Sequence, residues 1–195
     1  VDSAGTGGFS SLYLRGAENS HLLLLIDGVK VNDPTSTRGS AYDLSAIDVV
    51  QIESIEILRG PASAIHGGEA LAGVINIITR PASGSGFRAS AYGGAGQEGY
   101  ARAGGTVSAS NQAWAGQLGV GTSRDGESGD DASLRLNTLS GYMRFSPTTM
   151  LGSDIFVRHT DRESVAFPDD SGGPRLAVNR ELTSRDARDT VYGAN

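Results

Sequence analysis

Ile52–Arg80 reads IESIEILRGPASAIHGGEALAGVINIITR. Two short β-type runs, Ile55–Leu58 and Val74–Ile78, flank a connector punctuated by Arg59-Gly60-Pro61, Gly67-Gly68 and Gly73. Apolar runs this short, bounded by glycine and proline, predict strands buried on both faces rather than helices. A third run, Leu22–Ile26, stands ahead of them and is closed by Asp27-Gly28, a favoured tight-turn pair. The three runs predict a small buried sheet. After Pro81 the character changes: apolar and polar residues alternate, and glycine recurs throughout.

Composition narrows the classes. Of 195 residues 38% are apolar, and 28 are glycine. That is about twice the average glycine share, which fits strands and turns better than helices. Cysteine is absent, so a disulfide framework or thiolate metal site is excluded. The formal net charge of -6 argues against nucleic acid as a partner. No segment approaches the roughly 20 apolar residues of a membrane helix, whereas barrel strands, only half apolar, stay compatible with this hydropathy. The chain begins at Val1, with no initiator Met and no signal peptide, and reads as a piece of a longer protein.

Four blocks follow one another in order: Leu14-Arg15-Gly16; Leu25-Ile26-Asp27-Gly28-Val29; Ile52-Glu53-Ser54-Ile55-Glu56-Ile57-Leu58-Arg59-Gly60-Pro61; and Gly73-Val74-Ile75-Asn76-Ile77-Ile78-Thr79. In sequence and spacing they resemble the TonB-dependent outer-membrane receptors, across about residues 9–80. The resemblance implies an α+β plug with a small mixed sheet (1–82), followed by antiparallel transmembrane β-barrel strands (83–195). A plugged barrel of this kind needs about 22 strands, so the chain would hold an incomplete one. The resemblance also implies the outer membrane of a Gram-negative bacterium. The implied partners are an extracellular metal chelate, the TonB energy-coupling complex acting through a segment not in this chain, and the lipid of the membrane. The chelate would be a siderophore or cobalamin; residues 19–29 look most like cobalamin-type receptors.

The local reading supplies the elements. Phe9–Arg15 predicts a short strand and Ala17–Ser20 a loop, with the buried strand beginning at His21. Ser45 can cap a helical turn running to about Val49, and Pro61 can open another over Ala62–His66. From Phe87 the period is two. Phe87, Ala89 and Ala91 share one face; so do Trp114, Leu118 and Val120, then Leu139, Met143 and Phe145, then Leu151, Ile155 and Val157. Short connectors, Ala95–Glu98 and Ser146–Thr149, alternate with long ones, Arg124–Ser133 and Glu163–Arg180. That predicts short turns at one end and long loops at the other, as in a transmembrane barrel. A soluble β-sandwich shares the strand alternation, so a soluble β-rich binding or adhesion module stays open as the second reading. Aromatics near strand ends (Phe87, Tyr100, Trp114, Phe145) fit the girdles of a membrane barrel.

Catalytic chemistry finds no constellation. His21, His66 and His159 lie far apart, without metal-ligand spacing, and no G-x-S-x-G elbow is present. Gly94-Ala95-Gly96-Gln97-Glu98-Gly99 matches G-x-G-x-x-G, but a strand-like run follows it instead of a helix, so it reads as a hairpin turn. The chain is therefore not read as an enzyme.

Binding residues follow from the resemblance. Phe9, Ser11, Glu18, Ser36 and Thr37 match plug-apex positions that touch ligand, with Asn19, Asp33 and Arg38 beside them. Glu18 departs from the neutral polar residue common there in cobalamin receptors. Arg15, Arg59, Glu53 and Glu56 correspond to plug charges that pair with one another and with the barrel wall, because an unmatched charge in a lumen is costly. Asp125, Asp130, Asp131 and Asp169 lie in acidic loops whose carboxylates can share Ca²⁺. No other cofactor is required.

Overall fold

The structure, a computed structural model, describes residues 2–3, 10–14, 16–17, 19–34, 40–44, 47, 52–60, 67–79, 85–125, 132–147, 151–166 and 181–194. The chain divides into two compact units, one holding Val1–Ser3 with Phe9–Arg80, the other Ala4–Gly8 with Pro81–Asn195.

In the first unit, strands β1 (Asp2–Ser3) and β2 (Ser10–Ser11) form a two-residue antiparallel pair. The main sheet has four strands, β3 (Leu22–Ile26), β4 (Val29–Lys30), β5 (Ile52–Arg59) and β6 (Gly73–Thr79), in the order β4-β3-β6-β5. Strands β3 and β6 run parallel, from Leu22 opposite Gly73 to Ile26 opposite Ile77. The other two pairings are antiparallel. All five residues of β3 are buried, as are Val74, Ile75 and Ile77 on β6. Burying one such side chain is worth roughly 1.5–3 kcal/mol, so this central pair carries most of the unit's hydrophobic stabilisation.

Asp27 and Gly28 both take positive φ, 50° and 82°, which is the turn that matches the twist of a two-residue hairpin. Asp27 also fastens the turn to β6. Its carboxylate accepts the Thr79 N–H at 2.8 Å and the Thr79 hydroxyl at 2.6 Å, and its own N–H donates to the Ile77 carbonyl at 2.9 Å. Beyond the short β4, Asn32 takes over as a partner for β3. Its side-chain oxygen accepts the Leu24 N–H at 2.7 Å and its amide donates to the Leu22 carbonyl at 2.9 Å. Asn32 is buried, so Asn32→Ala leaves two strand groups without partners inside the core. A loss of roughly 1–3 kcal/mol in the unfolding free energy of this unit is expected, read by denaturant titration.

Three expectations change here. Strand β5 is an edge strand among the described residues, not a buried one: Ile55, Ile57 and Leu58 are 49–53% exposed, so neither face of β5 is covered as those of β3 are. Among the described residues of 9–15 (10–14), Ser10–Ser11 are in a strand and Leu14 bridges Ala17, while Leu12 and Tyr13 are in neither. Asn19–His21 form one 3-10 turn, so the buried strand starts at Leu22. The predicted helical turn over 62–66 lies outside the described residues, as does all of the 45–49 turn except Ile47. Buried Ile47 donates its N–H to the Leu44 carbonyl at 3.0 Å.

The second unit is one six-stranded antiparallel meander: β7 (Gly86–Ala95), β8 (Ala101–Ser110), β9 (Trp114–Asp125), β10 (Ser133–Phe145), β11 (Ser153–Ala166) and β12 (Thr183–Ala194). Each strand pairs with its sequence neighbour, and the sheet does not close on itself. The G-x-G-x-x-G stretch is the β7–β8 hairpin turn: Gly96 N–H donates to the Tyr100 carbonyl at 2.9 Å, and Glu98 and Gly99 take positive φ. Asn111 closes the β8–β9 turn, its side-chain oxygen accepting the N–H groups of Ala113 (2.8 Å) and Trp114 (2.9 Å). That turn corrects the expected arrangement of connectors. With 111–113 counted, the 96–100 turn falls at the same end as the connectors over 126–132 and 167–182, and the opposite end carries 111–113 and 146–152.

Candidate functional site

The sheet of the second unit has two chemically different faces. Its register puts Phe87, Ala109, Gly116, Met143, Ile155 and Ala194 in one row across the strands. The next row is Ala89, Val107, Leu118, Gly141, Val157 and Tyr192, and Trp114 opposes Phe145 at the margin. Every large apolar side chain of these rows is exposed, from Trp114 at 44% through Leu118 at 62% and Met143 at 63% to Phe87 at 74%. A period of two places them all on one side. Three of the four aromatics singled out in the sequence (Phe87, Trp114, Phe145) collect at the short-turn end, whereas Tyr100 sits in the opposite turn.

The other face is polar and glycine-rich. Arg158 and Arg162 are buried on it, at 4% and 6% exposure, with Thr138, Thr160 and Ser164. Ser90 and Thr106 share a 2.7 Å hydroxyl hydrogen bond. Tyr92 lies across Gly104, and a Cβ there would run into the Tyr92 ring and the Val120 carbonyl, so only glycine lets the ring lie flat on the sheet. An apolar side turned outward and a polar side carrying buried arginine is the reverse of a water-soluble sandwich, in which the exposed face is the polar one.

In the first unit, one end of the mixed sheet gathers three of the residues singled out in the sequence. Asn19 lies in the turn that leads into β3. Asp33 follows Asn32, whose side chain returns to Leu22 and Leu24, so it reaches the same end. Arg59 ends β5 opposite Gly73, also at this end. Asp33 is exposed and Asn19 half-buried. Ser11 lies in β2, opposite Asp2. Phe9, Arg15, Glu18, Ser36, Thr37 and Arg38 lie outside the described residues.

Of the plug charges, Glu53, Glu56 and Arg59 lie along β5. Glu56 stands mid-strand and accepts the Asn76 amide at 3.4 Å. Glu53 is near the start of β5, about 20 Å from Arg59 at roughly 3.4 Å per residue. Lys30 pairs with Glu69 at 2.7 Å, a contact that the sequence reading did not anticipate and that ties the hairpin to the turn before β6. Nothing in the linear spacing of 30 and 69 announces it. Asp125 ends β9 exposed, while Asp130, Asp131 and Asp169 lie outside the described residues. Among the described residues no three His, Asp or Glu side chains cluster as a metal site.

Comparison with known proteins agrees with both halves. Residues 1–74 match the family model of the TonB-dependent Receptor Plug Domain. Among solved structures, the siderophore receptor PirA from Pseudomonas aeruginosa is 25% identical, with a TM-score of 0.58 over 77% of this chain and 27% of its own. The ferric yersiniabactin uptake receptor FyuA from Yersinia pestis superposes over 97% of this chain and 32% of its own, with TM-score 0.66 and 20% identity. The copper transporter OprC matches over 82% of this chain and 25% of its own, with TM-score 0.64 and 18% identity. The chain thus spans about a quarter to a third of the length of these structures. Residues 1–74 thus match a TonB-dependent receptor plug, and the plug-like mixed sheet followed by an antiparallel meander has the fold of the corresponding segments of these receptors, with which the chain is consistent.

Proposed function

We propose that the chain belongs to an outer-membrane receptor for active uptake of a scarce metal chelate, with a ferric siderophore as the leading class of cargo. The observation that carries it is the two-faced sheet behind a plug sequence: an exposed apolar band on one side, buried arginines on the other. Lipid would solvate the first face and a polar lumen the second. Of the solved structures above, PirA is named a siderophore receptor, FyuA a ferric yersiniabactin uptake receptor and OprC a copper transporter, which supports a metal-bearing cargo; none of them is named for cobalamin. Uptake of this kind changes no covalent bond in the cargo and needs no catalytic residue. The soluble-module reading is disfavoured, because it would leave that apolar band in water.

In this proposal the sheet end with Asn19 and Asp33, together with Phe9, Ser11, Glu18, Ser36, Thr37 and Arg38, faces the cargo. The acidic loops of Asp125, Asp130, Asp131 and Asp169 hold calcium, and the TonB complex drives release. The intact receptor, expressed in a strain deleted for its own iron and cobalamin receptors, should restore growth on ferric siderophores and not on limiting cobalamin. Cobalamin-only rescue would overturn the cargo assignment. Asn19→Ala with Asp33→Ala should weaken cargo binding by about tenfold, the loss of one or two good polar contacts. Chelating calcium should lower that affinity further, and an affinity unchanged by chelation would overturn the calcium assignment.

A further inference from the structure

One face of the mixed sheet is crossed by a strap. Strand pairing and the two-residue period put Leu23, Leu25, Val74 and Lys30 on that face. Residues 67–72 run over it: Ala70 is fully buried and forms one cluster with Leu23, Leu25 and Val74. The far end of the strap is tied into the backbone ladder. Ala72 N–H donates to the His21 carbonyl at 2.8 Å, and the Ala72 carbonyl accepts the Gly60 N–H at 3.2 Å. The near end is a tight turn, with Ala70 N–H donating to the Gly67 carbonyl at 3.1 Å.

Besides the Ala70 methyl, Lys30 holds this turn down, its Nζ 2.7 Å from Glu69 Oε2. That carboxylate oxygen is shielded from water, although the Glu69 side chain as a whole is 33% exposed. Lys30 is the single lysine among the 16 Lys and Arg residues of the chain. Its ammonium is a point charge on a flexible stem, so it closes and releases a contact more readily than a guanidinium fork.

Magnitude selects what moves. Separating β3 from β6 would uncover Leu23, Leu25, Val74, Ile75 and Ile77 together. Lifting the turn takes one methyl off the cluster and breaks one ion pair, while β3 stays paired with β6. A half-exposed ion pair holds far more weakly than a set of buried leucine-sized side chains. Segments of that kind open locally at a fraction of the global cost. Cargo crossing a plugged barrel has to displace part of the plug, and the segment that lifts at least cost lifts first.

We propose that Lys30 and Glu69 form a latch on the strap 67–72, that the strap opens while β3 and β6 stay paired, and that this opening is a step of cargo uptake after binding. This rests on the uptake reading above, and the test keeps the two apart. Amide hydrogen exchange in the intact receptor reads strap and sheet separately. Lys30→Met leaves the shielded Glu69 oxygen without its cation. Exchange over 67–72 should then rise by about fivefold or more, with protection of β3 and β6 unchanged. Lys30→Arg keeps the charge and should stay near the unaltered rate. Uptake is followed with the radioiron-labelled ferric siderophore that restores growth in the rescue assay. Lys30→Met should bind it as the unaltered receptor does and import it about twofold faster or more.

Unchanged exchange over 67–72 in Lys30→Met overturns the latch. Exchange that rises equally in β3 and β6 overturns it too, since strap and sheet would then open as one. So does Lys30→Arg exchanging as fast as Lys30→Met, because the cation would then be irrelevant. Faster exchange with an unchanged uptake rate overturns the role in uptake. If the unaltered receptor restores growth on no ferric siderophore, the cargo reading falls instead, and exchange alone decides the latch.

Discussion

Leu118→Arg is expected to destabilise the membrane-inserted protein by roughly 2–4 kcal/mol, the cost of a cation on the lipid side of a barrel near mid-bilayer. Leu118 lies in the middle of the exposed apolar row, between Val107 and Gly141, and is itself 62% exposed. Ser108→Arg is the matched control. It sits one residue from Val107, on the opposite, polar face, and should shift stability by no more than about 1 kcal/mol. Guanidinium titration of both variants folded in phosphatidylcholine bilayers gives the comparison. A water-facing sheet would reverse the expectation, because arginine replacing an exposed leucine in water is nearly neutral. Equal midpoints for the two variants would sink the lipid-facing assignment.

Gly73→Ala should cost the plug unit about 3 kcal/mol. Gly73 opens β6 with φ of 153°, outside the range that side-chain-bearing residues favour. A Cβ there would collide with the Leu58 carbonyl oxygen and lie 2.8 Å from the Leu14 Cδ2. The first obstacle is backbone of the neighbouring strand, so relief requires β5 to separate from β6. Strain and collision act together, which places the change among the large single-site effects. Gly68→Ala, where a Cβ would meet open space at an ordinary φ, should change little. Amide hydrogen exchange across β3 and β6 in the intact receptor is the readout. A loss of protection of roughly a hundredfold is expected for Gly73→Ala, and protection equal to that of Gly68→Ala would refute the argument.

The elements that could be read from the linear chain are those set by local chemistry. Leu22–Ile26 is uniformly apolar, and a strand apolar on both sides must be buried on both sides; it is. Asp27-Gly28 tolerates positive φ at both positions and makes the hairpin turn it was expected to make. Alternation from Phe87 onward assigned side chains to faces correctly, since a pleated strand leaves no other option. Local pattern failed where partners decide. Ile55, Ile57 and Leu58 look as apolar as β3, yet among the described residues β5 is an edge strand whose faces stay exposed. The Asn111 turn is short enough to pass unnoticed, and missing it misassigned the ends of the sheet.

The charges divide in the same way. A string of residues shows that Arg124, Arg135, Glu163 and Asp186 exist, but not that one ladder row holds all four. It shows Lys30 and Glu69, but not that they touch. Side-chain periodicity and turn chemistry act within a few residues, so the order of amino acids alone establishes strands, hairpins and which side of each strand is greasy. Strand pairing and register act between distant segments through backbone hydrogen bonds, and only the assembled sheet shows which edges remain uncovered and which distant charges become neighbours.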